Sequence, residues 1–262
     1  MGDLRFIIQN KQNSLTGKGF RFINTVISAG IIKNKINILT EFFDLFLPRI
    51  CPACKNKLES KEEYICSTCL NKILPADNTR IKFEFQKKFN SKGIISGLTS
   101  LYVFEKDKEL QRIIHSMKYE NNFMIGEALG ILLGDKLIKD IHELNFDLII
   151  PVPLHRLKKS ERGYNQSYYI SKGVNRKLKL ELDKRSVRRI KYTYTQTSMK
   201  IQKREKNISG AFKVVNAENI AGKNILLIDD VITTGATVSE CGRELRDIGA
   251  GKIYAASLAI AD

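Results

Sequence analysis

Residues 224–237, NILLIDDVITTGAT, constrain the fold of this chain more than any other stretch. Four consecutive apolar residues, Ile225, Leu226, Leu227 and Ile228, are bounded by polar ones and are too few for a helix that stands alone. They read as a buried strand of a parallel sheet, where both faces are covered and no alternation is needed. Asp229 and Asp230 follow at once and are expected at the carboxyl end of that strand, the edge where open α/β sheets bind ligands. Thr233, Thr234, Gly235, Ala236 and Thr237 then form a small, hydroxyl-rich turn leading into a helical pattern over residues 238–248. Main-chain N–H groups and hydroxyls in such a turn can surround a phosphate, and the helix behind it adds roughly half a positive charge at its amino end. Gly235 allows the backbone to come close to a ligand. A plain acidic turn between strand and helix is the bland alternative. The ATP-binding string G-x-x-x-x-G-K-[ST] does not occur.

An acid pair beside a phosphate cradle suits one ligand in particular. The vicinal hydroxyls of a ribose 5-phosphate donate to carboxylates while its phosphate takes the N–H groups. The order of apolar strand, two acids and Thr/Gly loop resembles the motif with which type I phosphoribosyltransferases bind phosphoribosyl pyrophosphate (PRPP).

Two Cys-x-x-Cys pairs, CPAC at Cys51 and Cys54 and CSTC at Cys66 and Cys69, lie eleven residues apart. Each tight pair can put two thiolates on one ion, and four thiolates complete a closed tetrahedral site for structural Zn²⁺. Two disulfides are the rival assignment. Neither a secretory signal nor a membrane-length apolar run is read in the chain, so a reducing cytoplasm is expected and metal is favoured. Cys241 stands apart and reads as a core thiol.

The net charge of +16 is uneven: residues 151–213 hold 18 Lys and Arg against 4 acids. Such a concentration suggests a polyanionic partner, with a merely solvated basic face as the alternative. Residues 146–152 read as a second buried strand. Past its end, His155, Arg156, Lys158, Lys159 and Arg162 would join the acid pair on one side of the sheet and could hold a departing pyrophosphate. His155 reads as a loop hydrogen-bonder more readily than as a general acid.

The remaining elements are coarser. Residues 1–36 form an arm, and 37–48 a helix closed by Pro48. A polar linker is expected from Pro75 to about Ser91, and a strand or hairpin arm over 94–104. Helices are expected over 110–117, 125–144 and from about 166 to 178, and a closing strand over 252–259. His115 reads as a helix-surface residue. The polar, basic segment 187–212 is long for a connection and reads as a lid or binding loop, in which Gln196, Lys203 and Arg204, with Arg188, Lys191 and Asn207, could close over an anion.

The segment FDLFLPRICPAC, the second Cys pair, DLIIPVPLHRLKKSERGYNQ, the stretch ending TQTSMKIQKREKNISGAF, and ILLIDDVITTGAT together resemble the late-competence ComF family over about residues 41–262. The PVP and DD motifs are also similar to those of glutamine PRPP amidotransferases. The ComF resemblance implies a doubly wound α/β domain of the type I phosphoribosyltransferase kind at residues 92–262, with a small zinc-ribbon domain and its preceding helix at 37–76. It implies that Asp229 and Asp230 hold the ribose hydroxyls and residues 233–237 the 5-phosphate, while Pro153, Leu154, His155 and Arg156 meet the pyrophosphate, with Mg²⁺ accompanying PRPP. It further implies a role in natural transformation, with single-stranded DNA and a competence helicase of the ComFA type as partners, through either catalysis or non-catalytic PRPP sensing. Glu120-Asn121-Asn122 depart from the family after Lys118-Tyr119, where a glycine and a basic residue are more usual, which puts an anion contact there in doubt.

Overall fold

The computed structural model describes residues 48–141, 145–192 and 208–261. The chain divides into two compact units, residues 1–67 and 68–262. The expected arm, the helix at 37–47 and the lid residues Gln196, Lys203, Arg204 and Asn207 lie outside the described residues.

In the first unit, the Cys51 N–H donates to the Asn56 carbonyl at 2.9 Å and the Lys55 N–H to the Cys51 carbonyl at 2.9 Å. Lys55 closes this turn in the left-handed region, at φ 63°. The result is a knuckle, with Ile50 and Lys57 bridging across its base.

From the unit boundary onward the chain runs α1 (Ser67–Lys72), α2 (Asn78–Lys88), β1 (Gly97–Val103), α3 (Glu109–Tyr119), α4 (Phe123–Asp140), β2 (Leu148–Pro151), α5 (Arg156–Arg162), α6 (Gln166–Leu178), β3 (Glu181–Leu182), β4 (Val187–Arg189), β5 (Phe212–Val214), β6 (Ile225–Ile232), α7 (Ala236–Asp247) and β7 (Ile253–Ile260). Five strands make one parallel sheet in the order β1-β7-β6-β2-β3. The ribbon β4–β5 is separate and antiparallel. Ile225, Leu226, Leu227 and Ile228 are fully buried at the centre, each contributing about 1.5–3 kcal/mol of hydrophobic stabilisation. Alternation along the strands divides them between two faces. Leu148, Ile150, Ile225, Leu227, Ile253 and Ala255 join a core that includes Val238, Cys241 and Leu245 of α7. Ile149, Leu226 and Ile228 fall on the opposite face, which α4 and α6 cover.

Several expectations change. The stretch expected as a linker contains an eleven-residue helix, α2. Asp77 caps it, accepting from the Arg80 N–H at 2.7 Å, and Ile81, Phe85 and Phe89 form an i, i+4, i+8 stripe into the core. Its polar look comes partly from Glu84, which is fully buried and ion-paired with Lys88 at 2.5 Å and Arg80 at 3.1 Å. The segment expected as a possible hairpin arm is the parallel edge strand β1, buried almost throughout. The helix expected over 125–144 runs from Phe123 to Asp140. β6 continues past Ile228 to Ile232, because residues 229–232 still pair with β7. Lys191 is exposed, and its ammonium donates to the Ser209 carbonyl at 2.9 Å, so the flanks of segment 193–207 are tied to each other beside the β4–β5 ribbon.

Candidate PRPP site and cysteine knuckle

β2 and β6 are neighbours with Pro151 opposite Ile228, and the Val152 N–H donates to the Ile228 carbonyl at 2.8 Å. This pairing sets residues 153–156 beside the acid pair. Asp229 Oδ1 accepts from the Ser167 hydroxyl at 3.1 Å and from the Asp230 N–H at 2.9 Å. Ser167 is placed by the start of α6, where Asn165 caps the helix at the Ser167 N–H and donates to the Val152 carbonyl. Asp230 accepts the Val231 N–H at 2.6 Å and pairs with Lys118 Nζ at 2.7 Å. Burial, and then the neighbouring Asp230 carboxylate, push the Asp229 carboxyl up to about 7 against the partial relief given by Lys118 and Ser167.

Thr233 is exposed, Thr234 and Thr237 are half-buried, and Gly235 and Ala236 are buried. Gly235 precedes α7 at φ 75° and, as the N-cap residue, offers no side chain to it. The Thr234 hydroxyl accepts from the Ala236 N–H at a long 3.4 Å, and the N–H groups after it are left to a ligand or water. A Cβ on Gly235 would sit 2.8 Å from the Phe89 ring. Glycine is thus required here by the backbone conformation and by α2 packed beneath the loop, as well as by any ligand above it.

Several cations interact with one another and with the acid pair. Lys158 is 7% exposed, and among the described residues it has no carboxylate within ion-pair distance. Desolvation, then Arg189 and Arg162, lower its ammonium to about 8. Its Nζ lies 5.7 Å over the Tyr192 ring. Arg189, on β4, feels the Asp229 charge and stacks on Phe212 at 5.3 Å. Arg162 donates to Gln166 at 3.1 Å and to the Tyr119 hydroxyl at 3.3 Å. His155 Nδ1 accepts from the Leu157 N–H at 3.3 Å, so it caps α5. Pro153 and Leu154 are half-buried, and Arg156, the first residue of α5, is exposed. His115 is on the surface, 62% exposed at its side chain.

Sequence reading missed Lys118, Ser167 and Arg189. Ser167 and Arg189 carry no motif of their own, while Lys118 was discounted because the residues after it depart from the family pattern.

The four cysteine Sγ atoms of Cys51, Cys54, Cys66 and Cys69 all lie within 4.8 Å of one another, with Cys54 and Cys66 at 3.8 Å. Zn–S bonds of about 2.3 Å in a tetrahedron imply sulfur separations of about 3.8 Å, so the donor set and spacing fit zinc. Burial raises the Cys51 thiol, but N–H groups of Cys66, Cys54 and Ala53 outweigh it and leave the thiol lowered to about 7. Four soft ligands leave no open position, so the ion would hold the knuckle and do no chemistry. Purified protein is expected to carry a single zinc ion per chain by elemental analysis. Cys51→Ser, or a strong chelator, should release it and open the knuckle to protease, because metal binding supplies most of the folding free energy of such small units.

The parallel sheet, the acid pair on β6 and the glycine turn into α7 define a phosphoribosyltransferase-type domain, and residues 165–261 match the family model described as phosphoribosyl transferase domain. The chain belongs to the competence protein F (ComF) family. It is 35% identical over 154 residues to competence protein F of Haemophilus influenzae, covering 57% of this chain and 67% of that one. The DNA utilization protein YhgH of Escherichia coli is 27% identical over 228 residues, covering 80% and 96% of the two chains. Competence protein ComFC of Bacillus subtilis is 22% identical, covering 77% and 79%. Glutamine PRPP amidotransferase from B. subtilis superposes over 51% of this chain with a TM-score of 0.36 and 18% identity, and the chain spans 26% of that enzyme. No helix among the described residues is long and apolar enough to cross a membrane.

Proposed function

We propose that the chain binds PRPP at the carboxyl ends of β2 and β6 and uses that site in the uptake or processing of transforming single-stranded DNA. The observation that carries the binding claim is the succession, from the second half of β6 into the start of α7, of Asp229, Asp230 and the glycine turn at Gly235 with the N–H groups that follow it. Asp229 and Asp230 take the ribose hydroxyls, and residues 233–237 take the 5-phosphate. The basic group of Lys158, Arg162 and Arg189 faces the diphosphate. A bound Mg²⁺ would add charge neutralisation at the diphosphate. Transfer needs positioning and charge stabilisation more than a strong base, because a neutralised pyrophosphate leaves readily. The acid pair would steady positive charge developing on the ribose, and a nitrogen nucleophile would attack from the opposite face.

The DNA role comes from the names of the relatives, competence protein F and DNA utilization protein, and from the excess of 18 basic over 4 acidic residues in the stretch 151–213. A ComFA-type helicase is the partner proposed with it. Titration calorimetry with PRPP, followed by pyrophosphate release with a panel of bases and amines, tests the reading. Absence of PRPP binding would overturn it, and binding without turnover would turn the proposed transferase into a sensor.

A further inference from the structure

The last turn of α3 is fastened at three consecutive residues. The Tyr164 hydroxyl donates to the Met117 carbonyl, Lys118 pairs with Asp230, and Arg162 donates to the Tyr119 hydroxyl. Two of these fastenings come from the end of α5 and the turn after it, and the third from β6. They hold the Lys118 ammonium on Asp230, next in sequence to the Tyr119 hydroxyl that Arg162 reaches, and Lys158 feels the Lys118 charge weakly.

An ammonium has three donors. Among the described residues, Asp230 takes one of those of Lys118 at 2.7 Å, and two remain for a ligand. Lys158 is more than nine-tenths buried and, among the described residues, has no carboxylate within ion-pair distance. A buried cation without a counter-ion is costly unless an anion arrives. Like charges that feel one another are disfavoured until a polyanion joins them. The amino end of α7 already provides for the 5-phosphate, so the anion left for the free donors of Lys118 is the group at the other end of the sugar.

Resting on the reading of the site given above, we infer that Lys118 is a diphosphate-recognition residue, with one donor on Asp230 and the others on the ligand's diphosphate. It thereby joins the carboxylate that holds the ribose to the group that leaves. A purely structural counter-ion would stabilise Asp230 equally for any ribose phosphate, whereas a diphosphate ligand distinguishes PRPP from ribose 5-phosphate.

Calorimetry with both compounds on the parent, Lys118→Met and Lys118→Arg separates the two. Lys118→Met is expected to weaken PRPP at least about tenfold, the size of one lost charge-assisted hydrogen bond, and to change ribose 5-phosphate less than about twofold. Lys118→Arg should retain most of the PRPP affinity. An equal change for both compounds would overturn the inference while leaving the PRPP site standing. A parent that binds neither compound would overturn the site itself. Should Lys118→Met fail to fold by circular dichroism, Lys118→Gln provides the same comparison, since it also removes the charge.

Discussion

The double variant Asp229→Asn, Asp230→Asn is expected to bind PRPP at least about a hundredfold more weakly than the parent. Each carboxylate would accept a charge-assisted hydrogen bond from a ribose hydroxyl, worth about 1.5–3 kcal/mol. Two such losses come to about 3–6 kcal/mol, or roughly two to four powers of ten in affinity. Titration calorimetry reads the effect directly, and affinity within about threefold of the parent would mean that the acid pair does not hold the sugar. Stability supplies the control. The Asp229 carboxyl is raised from an ordinary 3.8 to about 7, first by burial and then by Asp230. Its contribution to folding is therefore complete below the unfolded value and is lost as pH rises through about 7. Asp229→Asn alone should melt at a higher temperature than the parent at pH 8, with the difference vanishing at acid pH. A variant that is more stable and yet does not bind PRPP would show that the parent maintains an unfavourable charge for function.

What the sequence revealed of this site depended on whether its chemistry was contiguous. β6 was legible because four adjacent apolar residues between polar ones admit few other readings. The cysteine group was legible because the two close pairs at Cys51, Cys54 and Cys66, Cys69 specify donors and geometry together. Lys118 meets Asp230 only after α3 and β6 are placed, and Arg189 approaches Asp229 only after the β4–β5 ribbon forms. No local pattern marks either meeting. α2 was obscured for a different reason: its buried Glu84 and Lys88 neutralise one another inside the fold but read as solvent-facing charges in the chain. Phe89 at its end was therefore not seen as the support beneath Gly235.

Gly173→Ala is expected to have the largest effect on the fold. In an ordinary helix interior this change stabilises by about 1 kcal/mol. Here the added Cβ would lie 2.1 Å from the Glu127 carbonyl oxygen and 2.7 Å from the Ile131 nitrogen, both backbone atoms of α4. Gly130 makes the reciprocal approach, its Cβ position lying 2.2 Å from the Ile170 carbonyl oxygen of α6. Backbone cannot swing away as a side chain can, so the two helices must separate, at a cost of about 3 kcal/mol or more that exceeds the propensity gain. Melting should fall by about 10 °C for a chain of this size. Gly126→Ala in the same helix is the control, because its Cβ would meet the flexible Met117 Sδ at 3.1 Å, and its melting temperature should move by less than about 3 °C. If Gly173→Ala behaved like Gly126→Ala, close helix contact would not be what seats α6. The effect should also reach the site. Ser167, on the first turn of α6, donates to Asp229, and Glu127, opposite Gly173, is held by Lys172 and Arg176 of the same helix. A displaced α6 withdraws that hydroxyl from the acid pair, so PRPP affinity should fall together with stability, whereas the double asparagine variant loses affinity while its sheet stays intact.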